Sequence, residues 1–238
     1  MKLLAIETAT SLLSVALLEE DQVLARADLP ADGAHGRLLV PTIDRLLAET
    51  KLSLSDLSCL AVSIGPGSFT GLRVGLSTLM GFRMAMGLPI VEVPTLEALA
   101  WNVRDESRPL CAMLKARTGE LYWAFFQWQP NGMLQRLSDD RAGDWALWAD
   151  SITGPTVMVG EGWQLYRDDL RAGFRHRAAW MVDGPPAAMA ASAVHVGLIA
   201  RAKWANGDRA EPGRAPRYVQ RAEAEVKWAA KAMVAEKR

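Results

Sequence analysis

The chain has 238 residues, half of them hydrophobic, which is enough for one large domain or two small ones with a substantial core. Basic and acidic residues each number 27, so the overall charge does not favour nucleic acid or an anionic membrane as a partner. No apolar run approaches twenty residues, and the amino-terminal stretch does not read as a signal peptide. We therefore expect a cytoplasmic protein without a membrane partner.

The first hundred residues alternate between strand and helix patterns. Three strands, over residues 2–8, 11–20 and 22–29, are separated by short polar turns, which favours an antiparallel meander. A helix over 36–49 follows, with Pro41 expected near its first turn, where a missing N–H is tolerated. The order continues as a strand over 59–64, a helix over 69–86 ended by Gly87, a strand in PIVEV, and a helix with Thr95 as its N-cap. This order predicts a mixed sheet with helices on its faces.

The composition changes near residue 100, because all nine tryptophans lie at or beyond position 101. Two lobes are therefore predicted, residues 1–102 and a tryptophan-rich 103–238, and a return of the last helix to the first lobe stays open. The tryptophans are expected to fill the core rather than to stack on bases. The patterns of the second half predict strands within 109–116, 120–128 and 156–162, helices near 162–172, 186–206 and 221–236, and a connector over 206–216.

The carboxyl-terminal part is basic, with ten lysines and arginines against five acidic residues from Arg201 onward. A solvated tail is the favoured interpretation, and contact with RNA is the alternative. Cys59 and Cys111 lie in apolar stretches and are expected to be buried thiols. The three histidines form neither HxxxH nor HExxH, so no zinc or iron site built by the protein is expected.

The most informative run, over residues 63–81, reads SIGPGSFTGLRVGLSTLMG. Three glycines within the predicted helix cost about 1 kcal/mol each relative to alanine, which indicates a close backbone approach. The strand–turn–helix junction can also hold a phosphate, since free N–H groups and the helix dipole favour anions there. The run is neither a P-loop nor GxGxxG, so tight packing is the favoured alternative. The candidate nucleotide-binding residues are Thr8, Thr10, Ser11, Gly65, Gly67 and Ser68.

Several segments together resemble the TsaB family, formerly YeaZ, the bacterial subunits of the machinery that makes threonylcarbamoyladenosine beside the tRNA anticodon. They are IETATSLLSVAL, GPGSFTGLRVG, VPTLEALA, KARTGELYWA and PRYVQR, and they span nearly the whole chain. The resemblance implies an α/β protein with the two-lobed actin/Hsp70-like fold, in which both lobes are of ribonuclease H type.

Two departures from the catalytic sister subunit, TsaD, imply that the fold is kept without its chemistry. Thr95 and Leu99 stand where the sister has metal-binding histidines, and a leucine has no electron pair to donate. Ser11 and Leu12 stand where it has an acidic pair. We therefore expect no catalytic residue, no metal, and no cofactor bound by this chain alone, with ATP or ADP at the partner interface left open. Within TsaB itself, the usual Asp-Ala-Arg is replaced by a run that starts at Lys115.

A partner surface is predicted because the helix over 69–86 is apolar nearly all round, so that one side faces the sheet and the other needs a second partner. The resemblance implies TsaD as that partner, a second copy of the chain in its absence, the TsaE ATPase as a further component, and only indirect or weak contact with tRNA. The predicted interface residues are Leu39, Ile43, Leu46, Leu47, Phe69, Gly71, Leu72, Gly75, Leu76, Thr78, Leu79 and Phe82.

The main functional hypothesis is a non-catalytic scaffold for the transfer of a threonylcarbamoyl group to tRNA. The alternative is an ATP-dependent phosphotransferase of the actin-like superfamily that acts on its own. That alternative is weakened by the missing acid in the first hairpin, which a metal-bound nucleotide needs. A peptidase is disfavoured because the sequence has no Ser/His/Asp or HExxH arrangement.

Overall fold

The computed structural model describes residues 1–207, which form two mixed sheets with helices on their faces. The first sheet has the strand order β3-β2-β1-β4-β5, with an antiparallel meander on one side and parallel strands on the other. The predicted order of the first eight elements is confirmed. Their bounds are β1 Lys2–Glu7, β2 Leu12–Glu19, β3 Gln22–Pro30, α1 His35–Thr50, β4 Cys59–Ser63, α2 Phe69–Met86, β5 Ile90–Val93 and α3 Thr95–Ala100.

The second sheet repeats the plan of the first. Its order is β11-β10-β6-β7-β8, in which β6 and β7 are antiparallel while β10 and β11 run parallel to β6. Two lobes with the same strand plan are what the actin-like fold requires. The elements that follow α3 are β6 Leu110–Lys115, β7 Glu120–Trp128, β8 Leu134–Arg136, β9 Arg141–Asp144, α4 Trp145–Asp150, β10 Thr156–Val159, α5 Glu161–Gly173, β11 Met181–Asp183 and α6 Ala193–Ala205.

The first sheet is covered on both faces, although its second cover comes from far along the chain. On one face, α1 and α2 bury a core that includes Leu4, Ile6 and Leu60. On the other face, α6 buries Leu3, Ala5 and their neighbours. Helix α6, which the sequence assigned to the second lobe, therefore packs on the sheet of the first lobe. The connector over 206–216 lies almost wholly, and the helix over 221–236 entirely, outside the described residues.

Several local predictions were wrong for identifiable reasons. Pro41 is the seventh residue of α1, on an exposed side where water can satisfy the carbonyl that loses its partner. Thr95 is the first residue of α3 rather than its N-cap, and its hydroxyl instead accepts a hydrogen bond from the Gly65 N–H at 3.1 Å. The strand predicted over 156–162 ends at Val159, because Glu161 already begins α5.

The helix predicted over 186–206 is interrupted, since a short 3-10 turn at Pro186–Met189 precedes α6. The sequence prediction also missed β8, β9, α4 and β11, which are three to six residues long and carry too few side chains to show a period.

The second lobe has a tryptophan-rich core, as predicted. Trp123, Trp148 and Trp163 are at most 1% exposed and pack together with β6 and β10. Cys59 and Cys111 are free, buried thiols, and burial raises the pKa of each to about 12. Within residues 1–207, no helix is both long enough and apolar enough to cross a bilayer.

Candidate functional site

The turn between β4 and α2 rests directly on the loop between β1 and β2. Gly67 has a φ of +154°, and a Cβ there would lie 2.3 Å from the Ala9 carbonyl oxygen. The Ser68 N–H donates to that same oxygen at 2.6 Å. The Ser68 hydroxyl accepts from the Gly71 N–H at 3.2 Å, which confirms Ser68 as the N-cap of α2. The turn and the loop are therefore joined by backbone contact.

The glycines of α2 continue this close approach along the helix. A Cβ on Gly71 would lie 2.0 Å from the Thr8 carbonyl oxygen, and one on Gly75 would lie 2.3 Å from the Thr8 hydroxyl. No side chain fits at either place without movement of the first strand's end. The cost of two helical glycines is thus explained by contact within the chain, not by a partner. Gly81 is different, since nothing lies within 4 Å of the corresponding Cβ.

These contacts occupy part of the predicted phosphate site. Thr8 is fully buried, Thr10 is 5% exposed, and Gly65 and Pro66 are buried in the turn that packs on them. Gly67 and Ser68 contact Ala9 where the hairpin loop meets the turn. The structure brings the six predicted residues together and uses part of their backbone in contacts within the chain, while Ser11 and Ser68 stay exposed.

Ser11 is exposed, like Ser68, and a carboxylate of the second lobe lies beside it. The Ser11 hydroxyl donates to Glu161 Oε2 at 3.3 Å, across the cleft between the lobes. Burial raises the pKa of Glu161, while Ser11 and the ammonium of Lys115 partly offset that effect. An acidic group therefore lies beside the hydroxyl that the sequence assigned to phosphate, and it would repel an anion. Lys115 faces this carboxylate from the end of β6.

Glu7 is a buried carboxyl group that the sequence reading missed as a site residue. It ends β1 with no exposed surface, and the Ala9 N–H donates to its Oε1 at 2.5 Å. Its Oε2 and the Ser63 hydroxyl on the neighbouring parallel strand both lack a hydrogen bond of normal geometry within the described residues. Burial raises the pKa of Glu7 to about 7, despite the opposing effects of Ser63 and Ala9. The signal in the sequence was a lone acid at the end of an apolar strand.

The two positions that were expected to replace the sister's metal ligands lie inside the protein. Thr95 is fully buried, with its hydroxyl bonded to Gly65, and Leu99 is fully buried in the core of the second lobe. Within residues 1–207, no group of three or more histidines, cysteines or acids is placed to hold a metal ion. Any metal chemistry here would need donor side chains that these two positions do not supply.

The predicted interface divides into a buried and an outward part. Eight of its residues face their own sheet, because a helix on a sheet turns its most regular apolar stripe inward. The prediction that these eight residues form a direct contact surface is therefore corrected, because all of them are buried within the chain: Leu39, Ile43, Leu46, Leu47, Gly71, Leu72, Gly75 and Leu79. The other four, Phe69, Leu76, Thr78 and Phe82, keep part of their surface exposed. Their contact with a partner stays a prediction.

One side of α2 carries partly exposed apolar residues at regular spacing, of which Leu76 and Met80 also pack against the chain's own core. Phe69, Leu76, Met80 and Met84 recur at helical intervals along one side, and we call them the outer row of α2. Met84 is 84% exposed, and the Arg73 guanidinium lies 3.8 Å above the Phe69 ring. Thr78 and Phe82, four residues apart, form a second row. The outer row is an apolar surface that the described part of the chain leaves partly uncovered.

Comparisons with known proteins identify the family of the chain. Residues 30–144 match the family described as TsaD, tRNA N6-adenosine threonylcarbamoyltransferase. The "tRNA threonylcarbamoyladenosine biosynthesis protein TsaB" of Escherichia coli is 34% identical over 174 residues, which cover 71% of this chain and 74% of that one. The protein of the same name from Bacillus subtilis is 29% identical over 236 residues, which cover 96% and 98%.

Solved structures show the same relationship. YeaZ from Pseudomonas aeruginosa superimposes with a TM-score of 0.73 at 27% identity, covering 91% of this chain and 99% of that one. The ethanolamine utilization protein EutJ from Carboxydothermus hydrogenoformans superimposes with a TM-score of 0.52 at 12% identity, covering 82% and 88%. That second likeness shows the fold alone. The predicted two-lobed actin-like fold is thus confirmed.

Proposed function

Since this chain belongs to the TsaB family and takes part in tRNA threonylcarbamoyladenosine biosynthesis, we propose that it is a non-catalytic scaffold for the subunit that transfers the threonylcarbamoyl group. In this role the chain holds its catalytic partner in an active shape, and it makes and breaks no bond itself. The proposal places it in the cytoplasm, where tRNA is modified.

The closed junction between the β1–β2 loop and α2 carries the proposal. Nucleotide-using enzymes of the actin-like fold hold phosphates with such loops, and here the backbone of Thr8 and Ala9 is taken up by contacts with Gly67, Ser68 and Gly71. Glu161 adds a carboxylate beside Ser11. This chain alone therefore binds no nucleotide, and ATP or ADP belongs to the interface with the partner. The same closure argues against an independent phosphotransferase.

The partner surface that we propose is the outer row of α2. Four apolar side chains on one side of a helix match the helix-to-helix contacts that join related subunits. The partner is the catalytic TsaD subunit, and a second copy of this chain takes its place when TsaD is absent. The TsaE ATPase joins the assembled pair, and contact of this chain with tRNA is weak compared with that of TsaD.

Co-purification with TsaD from the same organism tests the proposal, followed by an assay for threonylcarbamoyladenosine on tRNA. Neither the chain nor TsaD alone should sustain the modification, and the pair should do so once TsaE, ATP and the threonylcarbamoyl-adenylate donor are supplied. Met84→Asp should weaken the complex at least about tenfold, because it places a charge in the apolar contact. Met84 is 84% exposed, so the variant should fold normally.

Leu165→Asp is the matched control, since Leu165 is 57% exposed on α5 of the other lobe. It adds the same charge to an apolar surface and should leave both the complex and the modification unchanged. Transfer by the isolated chain would refute the non-catalytic role. A complex that tolerates Met84→Asp as well as Leu165→Asp would refute the proposed surface.

A further inference from the structure

The segment that leaves α3 for the second lobe holds an arginine between two tryptophans. The guanidinium carbon of Arg104 lies 4.2 Å from the ring centroid of Trp101 and 4.7 Å from that of Trp128. The two indoles meet edge to face, with centroids 5.6 Å apart and planes inclined by 63°. The Trp128 indole N–H donates to the Val103 carbonyl, which fixes that ring. The guanidinium is therefore held in place by cation–π contacts on two rings.

The N–H groups of Arg104 are not used within the part of the chain that the structure describes. No hydrogen bond or ion pair joins Arg104 to another described residue, although its side chain is exposed. Nearby Arg108 differs, because it forms two hydrogen bonds with the Glu106 carboxylate at 2.8 and 2.9 Å. This pairing lowers the pKa of Glu106 to about 2, and the Arg108 guanidinium compensates the negative charge of the carboxylate. A stacked guanidinium with a free edge is arranged to bind a phosphate through two N–H groups.

An open cavity of about 550 Å³ lies beside this arginine. Arg104, Trp128, Gln127 and Gln129 contribute to its wall, together with the acidic Asp105 and Glu106. The Gln127 side-chain amide donates to the Ser107 carbonyl at 2.9 Å, which leaves its oxygen as an acceptor. The volume falls within the range of small-ligand sites. Aromatic, amide and guanidinium groups are those that bind an unpaired nucleotide.

We propose that this cavity, which we call the Arg104 site, binds one nucleotide of single-stranded RNA. The phosphate accepts hydrogen bonds from the free edge of Arg104, and the base lies in the cavity near Trp128 and the two glutamines. The inference rests on the proposed function, because that function brings the chain beside an RNA. It goes further by assigning RNA contact to this chain at a defined place.

Fluorescence anisotropy with a labelled ten-nucleotide single-stranded RNA of mixed sequence tests the Arg104 site on the full chain. Arg104→Gln should weaken binding at least about tenfold, since it removes the stacked charge. Arg104→Lys should also weaken it, by a smaller factor, because lysine keeps the charge but not the planar fork. Arg175→Gln is the matched control: it removes the same charge from an exposed position between α5 and β11 and should change affinity less than about twofold.

The competing source of the same chemistry is a free nucleotide, and AMP is the probe for it. AMP should compete only weakly with the RNA. Equal losses in Arg104→Gln and Arg175→Gln, no binding by the wild type, or tighter binding of AMP than of RNA would each overturn the inference. These outcomes are separate from the proposed function, because co-purification with TsaD is measured without RNA. If Arg104→Gln forms a normal TsaD complex and keeps its RNA affinity, the Arg104 site is refuted and the proposed function is not.

Discussion

Replacing Glu7 with glutamine should remove a large part of the protein's loss of stability between pH 5 and pH 8. Glu7 is completely buried at the end of β1, and its Oε2 has no hydrogen bond of normal geometry among the described residues. Burial raises the pKa of this carboxyl from 4.5 to about 7 in the folded protein. At pH 5 the folded protein keeps the proton, whereas at pH 8 it must hold a buried carboxylate. The glutamine amide has no charge at either pH.

The sign and size of this change in stability follow from proton linkage. Between the unfolded and folded pKa values the native state binds one proton more than the unfolded chain, so stability falls as the pH rises. Each pH unit contributes about 1.4 kcal/mol, so the loss from Glu7 between pH 5 and pH 8 is roughly 2 to 3 kcal/mol. The full loss of stability from Glu7 is present above the pKa of the folded protein and absent below about pH 4.5.

Urea unfolding at constant ionic strength, at several pH values from 5 to 8, measures this difference. The midpoints of wild type and Glu7→Gln should diverge as the pH rises, with the variant the more stable at pH 8. Other titrating groups contribute equally to both proteins and cancel in the comparison. Glu49→Gln, at an exposed position on α1, is the control and should follow the wild type within about 0.5 kcal/mol. Parallel pH profiles for wild type and Glu7→Gln would refute the buried-carboxylate argument.

Two further experiments test the closed junction. Gly75→Ala should destabilise the isolated chain by roughly 1–3 kcal/mol in thermal melts, because its Cβ meets the Thr8 hydroxyl, whereas Gly81→Ala should stabilise it by about 1 kcal/mol, because the space there is open. Equal effects of the two substitutions would contradict the contact. Calorimetric titration of the isolated chain with Mg-ATP should give no binding in the micromolar range, and such binding would contradict the closure.

The order of the first eight elements was predictable because it depends on local chemistry. The turn at Gly65–Ser68, the N-cap at Ser68 and the left-handed Gly87 with a φ of +71° act within a few residues of themselves. The family also followed from short runs of residues, and the comparisons confirm it. Both kinds of signal are visible without knowing what lies next to a segment in space.

The orientation of α2 was not predictable in the same way. The helix is apolar on several sides, so its hydrophobic period does not single out the side that faces the sheet. Gly71 and Gly75 were assigned to a partner because a close approach was expected, and the approach exists, but its other half is Thr8, more than sixty residues earlier. The contact of Ser11 with Glu161 spans 150 residues and likewise leaves no local trace.

The late arrival of α6 has a consequence for how the chain folds during synthesis. The face of the first sheet that carries Leu3, Ala5 and Val93 is covered only when residues 193–205 have left the ribosome. Until then, a nascent chain that has already made five strands exposes a sheet face of aliphatic side chains to solvent and chaperones. The two ends of the described chain therefore fold as one cooperative unit, and a fragment that stops at residue 102 would aggregate rather than behave as an independent lobe.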